Sequence, residues 1–519
     1  MASAAAVLAA APAAGAKAFP THPFVPGSVV IADTTYPAQG DPLVQVGQNL
    51  PSGSPAVTDG GYPQSFNNDV NADANFSVAT PIDLLDVDPF GDLLSQTKVP
   101  TDQVNTSFSS KSEMAINFST NGQDLSFSAY NAALNTLDAS NSDTPLVRDS
   151  TNPDQQGPFN RVFSDLNANG DWTYTDSNAY SGDNGRAVLL NNATNTFYAA
   201  GNSNSGTTST QNAITLSGGA QGAAESFESQ ADQGLGSPIT RLGNFLYKSS
   251  DKFGKDTNFR GLTVFNNVVY LTKGSGSNGT NSVYFIDTTG QACTAPSFIG
   301  LPEPNAPLPT LSGAPVPLGY QVCVLKGFND LPAKGASAPN IFPFGVWFTN
   351  PDPTTGDPQT VYVGDEGPGV PGSGSPYAGA SSDTNAGLEK WSFADGTWNY
   401  DYTIQAGLNL GQPYTVPGYP TGDNNLPDGS GEPWAPATGG LRNISGQVNG
   451  DGTVTIYATT STVSGGGDVG ADPNEVVKVT DELAATTPGS EAFSVTAPAK
   501  NRVRYGGVAA VPANYGIGG

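Results

Sequence analysis

Histidine is almost missing from this chain: its 519 residues include one, His22, in an irregular stretch near the N-terminus. A Ser-His-Asp triad needs a positioned imidazole base, and zinc hydrolases and copper or non-haem iron sites normally draw on two or more histidines. Composition therefore excludes the usual forms of those chemistries. Cysteine is nearly as scarce. Cys293 and Cys323 stand alone without CxxC or zinc-ligand spacing, and one disulfide is their simplest fate. Closing that loop would stabilise the fold by roughly 3–4 kcal/mol on a chain-entropy view. Basic residues are few as well: 20 Lys and Arg against 46 Asp and Glu give a formal charge of −26. A surface of that sign repels phosphate backbones and anionic membranes, so nucleic acid is not an expected partner. No apolar run is long enough to span a bilayer as a helix, and no membrane span is expected.

Turn residues, by contrast, abound. The 63 Gly and 42 Pro lie between aliphatic runs, where they act as punctuation. A short unit recurs: an aliphatic strand, a tight polar turn, then a strand rich in Tyr or Phe. It reads GRAVLLNNATNTFYAAGN from Gly185, FRGLTVFNNVVYLTKG from Phe259, FPFGVWFTNPDPTTGDPQTVYVGDEG from Phe342 and LRNISGQVNGDGTVTIYATTS from Leu441. A looser copy, SEMAINFSTNGQDLSFSAYN, starts at Ser112, and a half copy, RYGGVAAVP, starts at Arg504. All-β hairpins repeated roughly every 65 to 100 residues point to a β-propeller. Outer hairpins are legible at Asn169-Gly170 and Asp395-Gly396, dipeptides that favour two-residue hairpin turns.

Counting first strands gives six blades, with seven as the alternative if residues 206–257 hide another. The strand at Ser28–Asp33 and the hairpin at 76–100 lack an innermost partner. The orphan RYGGVAAVP supplies one, so the N- and C-terminal strands are expected to close the ring within one blade and remove open edges. Residues 17–519 then form a single propeller domain. It carries a Pro-rich insertion over 291–339, read as a pinned surface excursion between blades, and a long loop over 405–438. Residues 1–16 read as a signal peptide, with a weak apolar stretch and an A-x-A site at Ala14-Gly15-Ala16. With the disulfide and six N-x-S/T sequons, the expectation is a secreted, extracellular glycoprotein. Asn75, Asn105 and Asn278 are expected to be exposed and modifiable, whereas Asn117 and Asn443 fall in innermost strands.

In a propeller, the connection into each first strand and the loop after each second strand share one face. Arg186, Arg260, Arg442 and Arg504 each stand at the start of a first strand, and Lys273, Asp365 and Glu366 sit in or beside second-strand loops. A ring of guanidinium groups at one mouth of the channel can hold a carboxylate or phosphate bidentately. The same arginines can instead bridge blade to blade, since a repeat can preserve a packing device. Asp365 and Glu366 are the candidate acid/base pair. Calcium is a candidate cofactor without locatable ligands. The stretch from Asp165 to Asp171, with Asp176 beyond it, matches a calcium-loop opening, but Asn169-Gly170 between strands reads better as a hairpin turn.

The hairpin repeats, the openings Arg260-Gly261-Leu262 and Arg504-Tyr505-Gly506-Gly507-Val508, and the outer strand YFIDTTG resemble secreted bacterial and fungal β-propeller proteins, many without an assigned activity. Lactonases and phytases share the architecture and hold calcium in the channel, but neither ligand pattern is matched residue by residue. Fold likeness alone does not assign chemistry. Two functions follow as expectations. One is a binding or surface-assembly protein that takes a small anionic or carbohydrate ligand, or another copy of itself, at the Arg-lined mouth. The other is a calcium-dependent extracellular hydrolase or lyase, lactonase- or phytase-like, acting on an anionic or sugar-derived small molecule.

Overall fold

The structure, a computed structural model, describes residues 22–36, 78–110, 112–136, 139–145, 158–202, 220–225, 240–245, 258–274, 279–313, 319–334, 339–368, 375–419, 421–422, 433–465 and 469–517. Its strands form six blades around a central channel, as the repeat count predicts. Blade 1 is the closing one: Val503–Ala510 lies innermost, followed outward by Val29–Thr35, Ile82–Val87 and Leu93–Lys98. The C-terminal strand pairs antiparallel with the N-terminal one, Val29 opposite Ala510 and Thr35 opposite Val503. Blade 2 runs Asn117–Phe118, Asp124–Tyr130, Arg161–Asn167 and Trp172–Ser177. Blade 3 is Gly185–Asn191, Thr196–Gly201, Ala220–Ala224 and Thr240–Arg241. The stretch that could have hidden a seventh blade therefore supplies the outer half of the third.

Blade 4 is Leu262–Phe265, Val268–Lys273, Ser282–Asp287 and Tyr320–Leu325, with Gly243–Phe245 and Ile299–Gly300 added in parallel at its outer edge. This corrects the reading of 291–339 as a surface excursion, because Tyr320–Leu325 within it is the blade's own fourth strand. The disulfide Cys293–Cys323 forms as expected and pins the intervening loop to that strand. Blade 5 is Pro343–Pro351, Pro358–Asp365, Gly387–Ala394 and Thr397–Ile404; blade 6 is Ala437–Val448, Thr453–Val463, Val476–Glu482 and Ser494–Ala497.

Each blade is sandwiched between two others, so inner strands are buried on both faces, as in Gly185–Asn191, while an outer strand such as Leu93–Lys98 is largely exposed. This is why inner strands read as continuous small and aliphatic runs. The core is correspondingly a set of thin layers between blades. Val30, Leu84, Leu125 and Val162 fill the first interface, Tyr198, Leu271 and Tyr284 that between blades 3 and 4, and Leu441, Ile456 and Leu388 that between blades 5 and 6. Glycine follows arginine in two of the repeats for a steric reason. A Cβ on Gly261 would lie 2.3 Å from the Phe344 carbonyl oxygen, and one on Gly507 would lie 2.3 Å from that of Met114. Neighbouring inner strands approach closely only because those side chains are missing. Among the described residues, no helix is long and apolar enough to cross a membrane.

Candidate functional site: a charged ring at one mouth of the channel

Inner strands are irregular where their arginines sit. In blade 3 the pairing passes from Gly185–Gly201 to Ala187–Ala200, so Arg186 is the bulged residue. In blade 6 it passes from Leu441–Thr460 to Ile444–Ala458, leaving Arg442 and Asn443 inside the bulge. A bulge re-aims a side chain out of the regular alternation of a strand. Arg504 lies one residue before a further shift, where Gly506 is skipped opposite Ala32 and Asp33.

The result is a ring to which every blade contributes one charged residue. In order around the channel these are Arg504, Glu113, Arg186, Arg260, Glu366 and Arg442. All six are buried, none more than 7% exposed. The order is Arg-Glu-Arg repeated twice, so each glutamate lies between two arginines, while Arg186 adjoins Arg260 and Arg442 adjoins Arg504. Arg442 Nε contacts Glu366 Oε2 at 3.3 Å. Arg186 Nε donates to Ser112 Oγ at 2.8 Å, and its Nη1 donates to Asn258 Oδ1 and, at 3.1 Å, to the Phe259 carbonyl. Arg504 donates to the Phe108 and Ser107 carbonyls. The Arg260 guanidinium lies 5.7 Å from the Phe344 ring centroid.

Burial sets the electrostatics of this ring. Desolvation, followed by repulsion from Arg260, brings Arg186 down to about 9. Arg260 is lowered by burial and by Arg442, against the opposing pull of Glu366. Glu113 is raised by burial, although it accepts bonds from Tyr130 and Asn184 and feels Arg504. Arg161 supports that side of the ring from behind. Its Nη2 donates to the Ser142, Tyr180 and Asp183 carbonyls at 2.8, 3.0 and 2.7 Å, and it lies 5.1 Å from the Tyr130 ring centroid.

The ring contains the four expected arginines and Glu366, but two expected members stand elsewhere. Asp365 is fully buried and caps a turn, accepting from the Phe342 and Gly367 amides at 2.6 and 2.8 Å. Burial and then Glu389 raise it well above the usual carboxylate range. Adjacent strand residues point to opposite faces, so Asp365 and Glu366 do not converge as an acid/base pair. Lys273 is buried with its Nζ 3.1 Å from Asn281 Oδ1. Glu113, Ser112, Asn184 and Arg161 were not singled out from sequence. Glu113 was findable, since it occupies in blade 2 the approach to the inner strand that arginine occupies in four others.

The calcium-loop match resolves as a hairpin. Asn167 Oδ1 accepts from the Asn169 and Asp171 amides at 2.9 Å each, while Asp176 turns to Asn131 and Asn160. Among the described residues, one other cluster brings metal-capable atoms together: Asp287, Cys293 and Cys323 lie within 4.8 Å of one another. Its two sulfurs are joined as a disulfide, and Asp287 already accepts from Thr289, Gly290 and Ala292. As a potential metal-coordinating group it has no calcium character, because calcium takes oxygen ligands. Of the sequons expected to be exposed, Asn105 is buried and donates to the Thr101 and Ala132 carbonyls at 2.8 Å each, which corrects that expectation. Asn75 and Asn278 lie outside the described residues.

No protein-family model and no curated protein matches the sequence. Among solved structures, a point variant of the apocarotenoid oxygenase of Synechocystis is similar at 10% identity and a TM-score of 0.20; the match covers 81% of this chain and 59% of that one. This chain thus spans about three fifths of that protein's length. The likeness assigns no chemistry. The sheet order makes the chain a six-bladed β-propeller closed by its two termini.

Proposed function

We propose that this protein is a secreted, non-catalytic binding protein that takes a small carboxylate- or phosphate-bearing ligand at the ring of Arg186, Arg260, Arg442 and Arg504. The observation that carries the reading is one desolvated ring of four guanidinium groups and two carboxylates, in which Arg260 repels both Arg186 and Arg442. Like charges out of water repel strongly, and a bound dianion would relieve that repulsion while accepting bidentate bonds. The separation of Asp365 from Glu366 favours binding over acid/base catalysis. Isothermal titration of the intact protein with phosphate, citrate and a uronic acid tests the reading. Saturable binding of at least one anion, weakened by salt, is expected; no binding of any of them at low ionic strength refutes it.

A further inference from the structure

The far end of the same channel is built differently. A cavity of about 640 Å³ opens there, and all six blades line it, through Ala510, Asn117, Leu189, Thr263, Trp347 and Gln447. Arg504 and Ala510 bound almost the whole of one inner strand, so the two mouths lie about 20 Å apart at ~3.3 Å per residue. Among the described residues, none that lines this second cavity is charged, in a chain of which 13% is charged and whose net charge is −26. An ionic ligand would find no counter-charge here. The volume suits a small ligand, for which pockets run roughly 300–1,000 Å³.

We infer that this uncharged mouth is a binding site for a neutral saccharide. Its wall combines the two things a sugar ring requires. One is an aromatic platform for the apolar C–H face: Trp347 is half-buried, and Gly446 beside it leaves room for the indole, since a Cβ there would lie 2.6 Å from the ring. The other is a rim of uncharged hydrogen-bonding groups. Thr263, Asn267 and Gln447 offer a hydroxyl and two amides at the cavity wall, which both donate and accept as sugar hydroxyls do. Asn266 and Asn267 form a hairpin tip with positive φ at both residues, 45° and 61°. Asn266 is anchored there by a 2.9 Å bond to Asp357, which leaves the exposed Asn267 at the lip. A purely apolar ligand would strand these polar groups, and burying them unpaired is costly.

Tryptophan fluorescence of the intact protein, titrated with maltotetraose, cellotetraose and chitotetraose, tests the assignment. A saturable change is expected with at least one of them, equal at low salt and at about 0.5 M NaCl, because no ionic contact is involved. Trp347→Ala should weaken binding by about tenfold or more and Trp347→Phe by less, since a smaller ring keeps part of the platform. Should Trp347→Ala fail to fold, Gln447→Arg places a charge at the lip without touching the core and is expected to abolish the response. Arg260→Ala should leave it unchanged, which separates this site from the charged ring. No saturable response to any of the three sugars, or a response that survives Gln447→Arg, overturns the inference.

Discussion

Acidification from pH 8 to pH 5 should stabilise this protein, because several buried carboxyls titrate far above their ordinary range. Burial is the main cause throughout. It lifts Asp33 to about 7 with help from Asp83, Asp165 to about 8 with help from Glu225 and Asp124, and Glu389 to about 7 against a bond from Trp391. It lifts Asp472 to about 7 despite bonds from Ser464 and Tyr419, and Asp86 to about 6 despite bonds from Ser28 and Val25. A folded-state value above the unfolded one means that the native state binds the proton more tightly. The stabilisation is complete below the unfolded value, near 4, and is lost as pH rises through about 6 to 8. A three-unit shift corresponds to about 4 kcal/mol at most. Allowing for relaxation and residual hydration, about 1 kcal/mol per group over this pH interval is reasonable, or about 5 kcal/mol for the set. For a chain of this length that is a rise in melting temperature of about 5 °C. Differential scanning calorimetry across pH 3.5–8.5 in constant ionic strength reads this directly. A melting temperature that falls steadily from pH 8 to pH 5 would refute the assignment of these carboxyls as held up mainly by desolvation.

Two further outcomes follow from the packing. Lys390 and Asp481 form a fully buried ion pair of 2.9 Å between blades 5 and 6, and Tyr362 and Tyr402 both donate to Asp481. Lys390→Ala, leaving that carboxylate buried without its cation, should cost about 3–5 kcal/mol in urea denaturation; a loss under about 1 kcal/mol, typical of a surface pair, would count against the pair's structural role. Removal of residues 502–519 takes out the innermost strand of the closing blade and exposes sheet edge. The truncated chain should aggregate, and a soluble monomer with an unchanged melting temperature would argue against closure by the termini.

The propeller was legible in sequence because its inner hairpins are local. Apolar periodicity and Asn-Gly or Asp-Gly turns mark them within about 20 residues, and the missing partner of the N-terminal strand pointed to RYGGVAAVP. Outer strands were harder to read. Tyr320–Leu325 pairs with Ser282–Asp287 across a Pro-rich loop, and nothing local in such a stretch announces its partner. The arginines were visible as equivalent positions in a repeat. What escaped was orientation: Asp365 and Glu366 are neighbours in the chain yet serve opposite faces, one capping the Phe342 turn and the other meeting Arg442. Asn105 escaped for a similar reason. A sequon says nothing of burial, and this one sits where its amide is consumed by two carbonyls.

The charged ring is tested most directly by Arg260→Ala, followed by anion titration and calorimetric melting on the same preparation. Arg260 lies between repulsion from Arg186 and Arg442 and attraction to Glu366, which keeps Arg442 as a partner when Arg260 is removed. The variant should therefore melt at or slightly above the wild-type temperature without ligand. Its affinity for the anion should fall by more than the ~1 kcal/mol of a surface ion pair. A clear drop in melting temperature with anion affinity unchanged would contradict the account, and would make the arginines clamps between blades rather than a ligand site.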